Sequence, residues 1–137
     1  MLKKIIFTLF FGLGMYAAQA QCEMIADECS SLFGDRYISD GQLYRALLYN
    51  DQVAEFESTL FGGNTYRVAA CSGEESGNLI FRVFDQEKNL LFTNADYSNA
   101  PYWDFVIENT MICTIEAQLD NNHQQSGCAV LLIGFKE

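Results

Sequence analysis

From Val53 to Phe61 the chain alternates. Ala54, Phe56, Ser58 and Leu60 take one side, and Val53, Glu55, Glu57 and Thr59 take the other. A period of two predicts a half-buried β-strand. Gly62-Gly63-Asn64 then breaks the run. Phe61 to Phe92 carries three more apolar runs, rich in Val, Ile, Phe and Tyr. A Gly/Ser/Glu turn separates the first two, and Asp85 to Asn89 leads into the third. That order predicts an antiparallel meander. Tyr66, Val68 and Ala70 share one face, as do Leu79, Phe81 and Val83.

The same reading extends in both directions. Trp103, Phe105 and Ile107 alternate with Asp104 and Val106, after a polar loop at Asn94 to Pro101. Met111 to Leu119 and Gly127 to Phe135 read as a last pair of strands. The second of these shows no polar alternation, which predicts a central strand covered on both faces. Gln42 to Leu48 suits helix or strand, and the Asn50-Asp51 turn tips it to strand. Before it, Gly34 to Gly41 reads as a polar bend. Cys22, Ile25, Cys29 and Leu32 recur at helical spacing, predicting a short helix over Cys22 to Phe33 that caps one end of the fold. The sum is an all-β domain: a jelly-roll-like antiparallel β-sandwich of about eight strands with a short N-terminal helix.

Met1 to Ala20 has the pattern of an export signal. Lys3 and Lys4 precede an apolar run, and Ala18-Gln19-Ala20 is a small-x-small cleavage site. The run is shorter than the roughly 20 residues a membrane span needs. The expectation is a signal peptide at 1–20 and one sandwich domain at 21–137, with no transmembrane segment in the mature chain. The protein would be exported, to the periplasm, the outer membrane or the medium. Lipid attachment at Cys22 is a minor alternative, since Gln21 stands where lipoprotein signals have a small residue.

The whole chain carries a formal charge of −10. Two of its eight Lys and Arg fall in the expected signal, which leaves six against 18 acids, or −12. So acidic a chain is repelled by phosphate backbones, and nucleic acid is not an expected partner.

All five cysteines, Cys22, Cys29, Cys71, Cys113 and Cys128, lie in the mature part. In an oxidising compartment they are disulfide candidates first. Helical geometry sets Cys22 and Cys29 roughly 10 Å apart, too far to bridge each other. Cys29 is the preferred partner for Cys71, because Cys22 sits near a fraying end. A hairpin turning symmetrically at Asp120-Asn121 sets Cys113 opposite Cys128 and predicts a disulfide there. One thiol of the five is then left free or pairs with another chain.

The runs Val53-Ala-Glu-Phe-Glu-Ser-Thr-Leu-Phe-Gly-Gly-Asn-Thr-Tyr-Arg-Val and Leu79-Ile-Phe-Arg-Val-Phe-Asp-Gln-Glu-Lys-Asn-Leu-Leu carry a resemblance. Their strand, turn and strand order resembles bacterial pre-peptidase C-terminal domains and the GOLD-type sandwich. Lys88-Asn89 departs from it, standing where a glycine is usual. The resemblance implies a non-catalytic sandwich that accompanies secreted enzymes, binds polysaccharide or aids secretion. No ligand residue of those families carries over.

Candidate chemistry is sparse. The only histidine, His123, lies among Asn121, Asn122, Gln124 and Gln125, a solvated loop rather than a held base. No catalytic residue is assigned. No zinc site has enough ligands, and no cofactor is expected. Asp96 and Asp104 flank a loop with Asn94 and Asn99, a weak calcium candidate that matches no recognised calcium loop. Tyr97, Tyr102 and Trp103, with Asp96, form an aromatic and acidic group of the kind that contacts sugars. Trp103 also fits the core beside Phe105 and Ile107.

The functional expectation is a non-catalytic accessory subunit that binds another envelope or secreted protein. The alternative is a carbohydrate-binding module with a glycan as its partner. A small hydrolase is a third reading.

Overall fold

A computed structural model describes residues 22–73, 78–122 and 126–136. The expected signal peptide and His123 lie outside them. Eight strands follow an N-terminal helix at residues 22–30 (α1) and a 3-10 turn at Ser31–Phe33. They are β1 (Tyr37–Tyr49), β2 (Val53–Leu60), β3 (Asn64–Cys71), β4 (Leu79–Phe84), β5 (Leu90–Thr93), β6 (Tyr102–Ile107), β7 (Met111–Leu119) and β8 (Ser126–Lys136). All strand pairs are antiparallel.

Two four-stranded sheets result, one in the order β1-β8-β3-β6 and the other β2-β7-β4-β5. Consecutive strands mostly land in opposite sheets, which is the winding of a jelly roll. Two expectations of local pairing therefore fail. The Phe61 to Phe92 stretch is not a meander: β3 belongs to the first sheet, and only β4 and β5 form a hairpin. Likewise β7 and β8 are not a hairpin, because the connector after Leu119 crosses between sheets. At the β4–β5 turn Lys88 takes a positive φ of 63°, the conformation for which glycine is usual.

The core between the sheets is the product of alternation. Val68 and Ala70, Phe81 and Val83, Ile115 and Ala117, and Leu131 and Ile133 point inward and are buried. Aromatic pairs close the two long edges. Tyr44 of β1 meets Phe56 of β2 at 5.2 Å. Phe92 of β5 meets Trp103 and Phe105 of β6 at 5.0 and 5.1 Å.

A second apolar layer lies outside the first sheet. Its alternate residues Ala69, Cys128, Val130 and Leu132 are covered by Cys22, Cys29, Phe33 and Tyr37, with Ile25 and Leu32 alongside. So α1 lies across a sheet face, not over an end of the sandwich as its position in the chain suggested. This cover is why β8, between β1 and β3, needs no polar side and reads as unbroken apolar sequence.

Two disulfides fasten the helix. Cys22 bonds Cys128 of β8 and Cys29 bonds Cys71 of β3, with Cα separations of 5.6 and 5.9 Å. The expected Cys113–Cys128 bridge is absent. Cys128 belongs to the outward layer under the helix and Cys113 to the core between the sheets, so their side chains leave on different faces. Cys22 is the partner the sequence reading passed over, and a sulfur so engaged is not available to a lipid. Buried Cys113 stays a thiol, 3.5 Å from the carbonyl oxygen of Ser58. Burial, with a smaller contribution from nearby Glu57, pushes its pKa up to about 11.

Candidate functional site

Two regions at opposite ends of β6 carry exposed aromatic and acidic side chains. The first holds the residues singled out from the sequence. Asn94–Tyr97 is a 3-10 turn after β5, and it aims Tyr97 back over the β5–β6 edge. Its ring stacks on Phe92 at 5.6 Å and 11° and meets Trp103 at 4.3 Å, leaving about half of the residue exposed. Trp103 itself packs against the main core.

Tyr102 points to the outer side, where its ring lies 4.2 Å from the Arg67 guanidinium. The Tyr37 ring also lies 4.2 Å from that guanidinium. Arg67 grips Asp104 with two bonds of 2.6 and 2.9 Å and donates a third, of 2.8 Å, to the carbonyl oxygen of Leu32. The Arg67 contact holds the Asp104 carboxyl below its ordinary range, and burial pushes the Tyr37 phenol up.

This group therefore ties the 3-10 turn after the helix to β3 and β6. Arg67 engages Asp104 at both carboxylate oxygens, Asp96 is exposed on the 3-10 turn, and no cluster of three or more metal-ligating side chains occurs among the described residues. Ala100, Pro101, Tyr102, Trp103 and Asp104 line a recess of ≈ 490 Å³. Tyr97, Tyr102 and Trp103 thus adjoin one another, but they face different ways.

The second region was not singled out from the sequence. It is a cavity of ≈ 610 Å³ lined by Asp40, Gln42, Glu57, Ser58, Thr59, Phe61, Asn64, Tyr66 and Phe135. Two local devices build it. β1 is irregular between Ser39 and Leu43, where Gly41 takes φ +87°. Such a bulge re-aims side chains at a strand edge. Asp40 accepts the Gln42 N–H at 2.8 Å, and Ser39 Oγ accepts the Gly41 N–H at 3.1 Å. Tyr44 steadies the wall by donating its hydroxyl to Gln42.

The opposite wall is the β2–β3 turn. Tyr66 Oη accepts the Phe61 N–H at 3.0 Å, Thr110 Oγ1 accepts that of Gly62 at 3.0 Å, and the Ile107 carbonyl accepts that of Gly63 at 2.7 Å. A Cβ on Gly62 would lie 2.6 Å from the Glu108 carbonyl oxygen, so only glycine lets the turn seat against that loop. The backbone of Phe61 is thus fixed while its side chain faces solvent; the residue is 58% exposed.

Asp40 differs from an ordinary surface acid. Burial raises its pKa, and the Gln42 backbone bond offsets that only partly. The signal was present in the sequence as Asp40-Gly41 within the polar bend and Phe61 before the glycine pair. Neither motif says that the two loops meet.

No protein-family model matches the chain, and no curated protein sequence matches it. Among solved structures it is similar to that of Aeromonas hydrophila PliG, described as a periplasmic lysozyme inhibitor of g-type lysozyme. The TM-score is 0.52 at 12% identity, over 75% of this chain and 89% of that one. The two proteins therefore share the sandwich fold.

Proposed function

We propose that this chain is a non-catalytic exported protein that binds another protein of the envelope or the medium, and that it acts as an inhibitor of a lysozyme-class enzyme. The observation that carries the reading is the fold, shared with a periplasmic lysozyme inhibitor over most of that inhibitor's length. Two disulfides support a place outside the cytoplasm, where such bonds persist. The formal charge of −10 favours encounter with a basic partner.

The test is direct. Purified, oxidised protein is titrated into a g-type lysozyme while lysis of a bacterial cell-wall suspension is followed. Saturating inhibition at near-equimolar protein supports the reading. Undiminished lysis, with no heat of binding by calorimetry, refutes it. Saturable glycan binding that Tyr97→Ala removes would favour the carbohydrate-binding alternative instead.

A further inference from the structure

We propose that the cavity between the β1 bulge and the Phe61 turn seats a cationic side chain, arginine or lysine, that projects from the partner protein. This deepens the protein-binding reading and rests on it. Four features of the site support the choice of occupant.

The walls carry two carboxylates, Asp40 and Glu57, and none of the lining residues is basic. The ion pairs among the described residues are Arg45 with Glu23 and Arg67 with Asp104, so neither cavity acid is answered from within by those pairs. The rest of the lining includes three aromatic rings, Phe61, Tyr66 and Phe135. Aromatic rings attract a cation set over their faces, more strongly as water is excluded. Third, Asp40 is partly withdrawn from water with only one backbone N–H as compensation, so its charge is under-solvated until a cation arrives. Fourth, the cavity is held open before binding. The Phe61 turn is fixed by three backbone bonds and a glycine that no other residue can replace, so little ordering cost remains. A sugar would also meet acids and rings here, but it would leave the under-solvated carboxylate unneutralised.

The experiment uses the full oxidised protein, labelled with nitrogen-15, and three probes. N-acetyl-arginine amide and N-acetyl-lysine amide are cationic; N-acetyl-norleucine amide is their uncharged counterpart. Saturable amide shifts confined to residues 39–42, 57–61 and 135, given by the cationic probes and not by norleucine amide, are the expected result. Asp40→Asn with Glu57→Gln should weaken them at least about tenfold. Phe61→Ala should weaken them less. The double variant's own amide spectrum, with the dispersion of the wild type outside the cavity, separates lost binding from an unfolded variant.

Equal shifts from norleucine amide, or unchanged binding by the double variant, overturn the proposal. A parallel titration into g-type lysozyme separates the two claims. Inhibition retained in full by the double variant refutes the cavity and leaves the inhibitor reading standing. Cationic probes bound at the cavity with no lysozyme inhibition would do the reverse.

Discussion

Asn94 is fully buried, yet it is polar, and its three bonds explain why. Its Oδ1 accepts the Phe81 N–H at 2.9 Å, and its Nδ2 donates to the carbonyls of Leu79 and Ala100 at 2.9 and 3.0 Å. β5 leaves β4 at Thr93, so the Asn94 side chain takes over where the strand ladder stops. Asn94→Ala strands those backbone groups and should cost about 3 kcal/mol in urea unfolding. Asn94→Asp should be no better, because a carboxylate cannot donate to two carbonyls.

Asp104 gives a pH test. Its folded pKa is lowered by Arg67, so its contribution is present above the unfolded value and is lost as pH falls through the folded one. The stability gap between wild type and Asp104→Asn should be open at pH 7 and should close below about pH 4. At this scale the sequence was only half legible. Phe81 and Val83 can be placed inside from the spacing they share with Leu79, whereas Leu131 and Ile133 lie in a run with no polar side that leaves their face open. The sequence groups Tyr102 with the sugar-contacting aromatics, because nothing in the linear order sets Arg67 beneath it.

The helix shows what an element can and cannot reveal. Its inward face, Cys22, Ile25, Cys29 and Leu32, was legible from spacing, and those residues do cover the outer layer. Where that face docks was not legible. The docking partner is a row of alternate residues on β8 and β3, and a strand apolar on both faces does not say what covers which. The fit there is close: a Cβ on Gly134 would lie 2.9 Å from Phe33 Cε1 and 3.1 Å from the Ile38 carbonyl oxygen. Gly134→Ala should therefore cost about 1–3 kcal/mol, measured by thermal unfolding.

The disulfides span 106 and 42 residues, long loops whose closure contributes up to roughly 4–5 kcal/mol each in a chain-entropy account. Serine at both Cys22 and Cys128, or at both Cys29 and Cys71, should lower the melting temperature strongly. Wild type with both bridges intact should show no reaction with a thiol reagent until denatured, when one thiol, Cys113, becomes reactive.

The jelly-roll class of the whole molecule was legible from eight short alternating runs and their turns. Which runs pair was not, since a strand of period two fits either sheet and only packing decides. Hence the cavity is not legible in the sequence: the β1 bulge and the Phe61 turn lie about 20 residues apart, and the topology brings them together. Net negative charge also acts at this scale. Capture of a basic partner should be steered over distances set by the Debye length, so its association rate should fall steeply between about 0.05 and 0.5 M salt, while the dissociation rate changes less.

One consequence follows from the position of β8. It is the eighth strand in order among the described residues but occupies the middle of its sheet, hydrogen-bonded on both flanks and sandwiched above and below. Until it arrives, β1 and β3 have no neighbour to join them, and Cys22 has no sulfur to meet. Assembly of that sheet must then wait for β8. A ribosome-bound fragment that still lacks β8 would remain loose, and would lock only once that strand had emerged and inserted between β1 and β3.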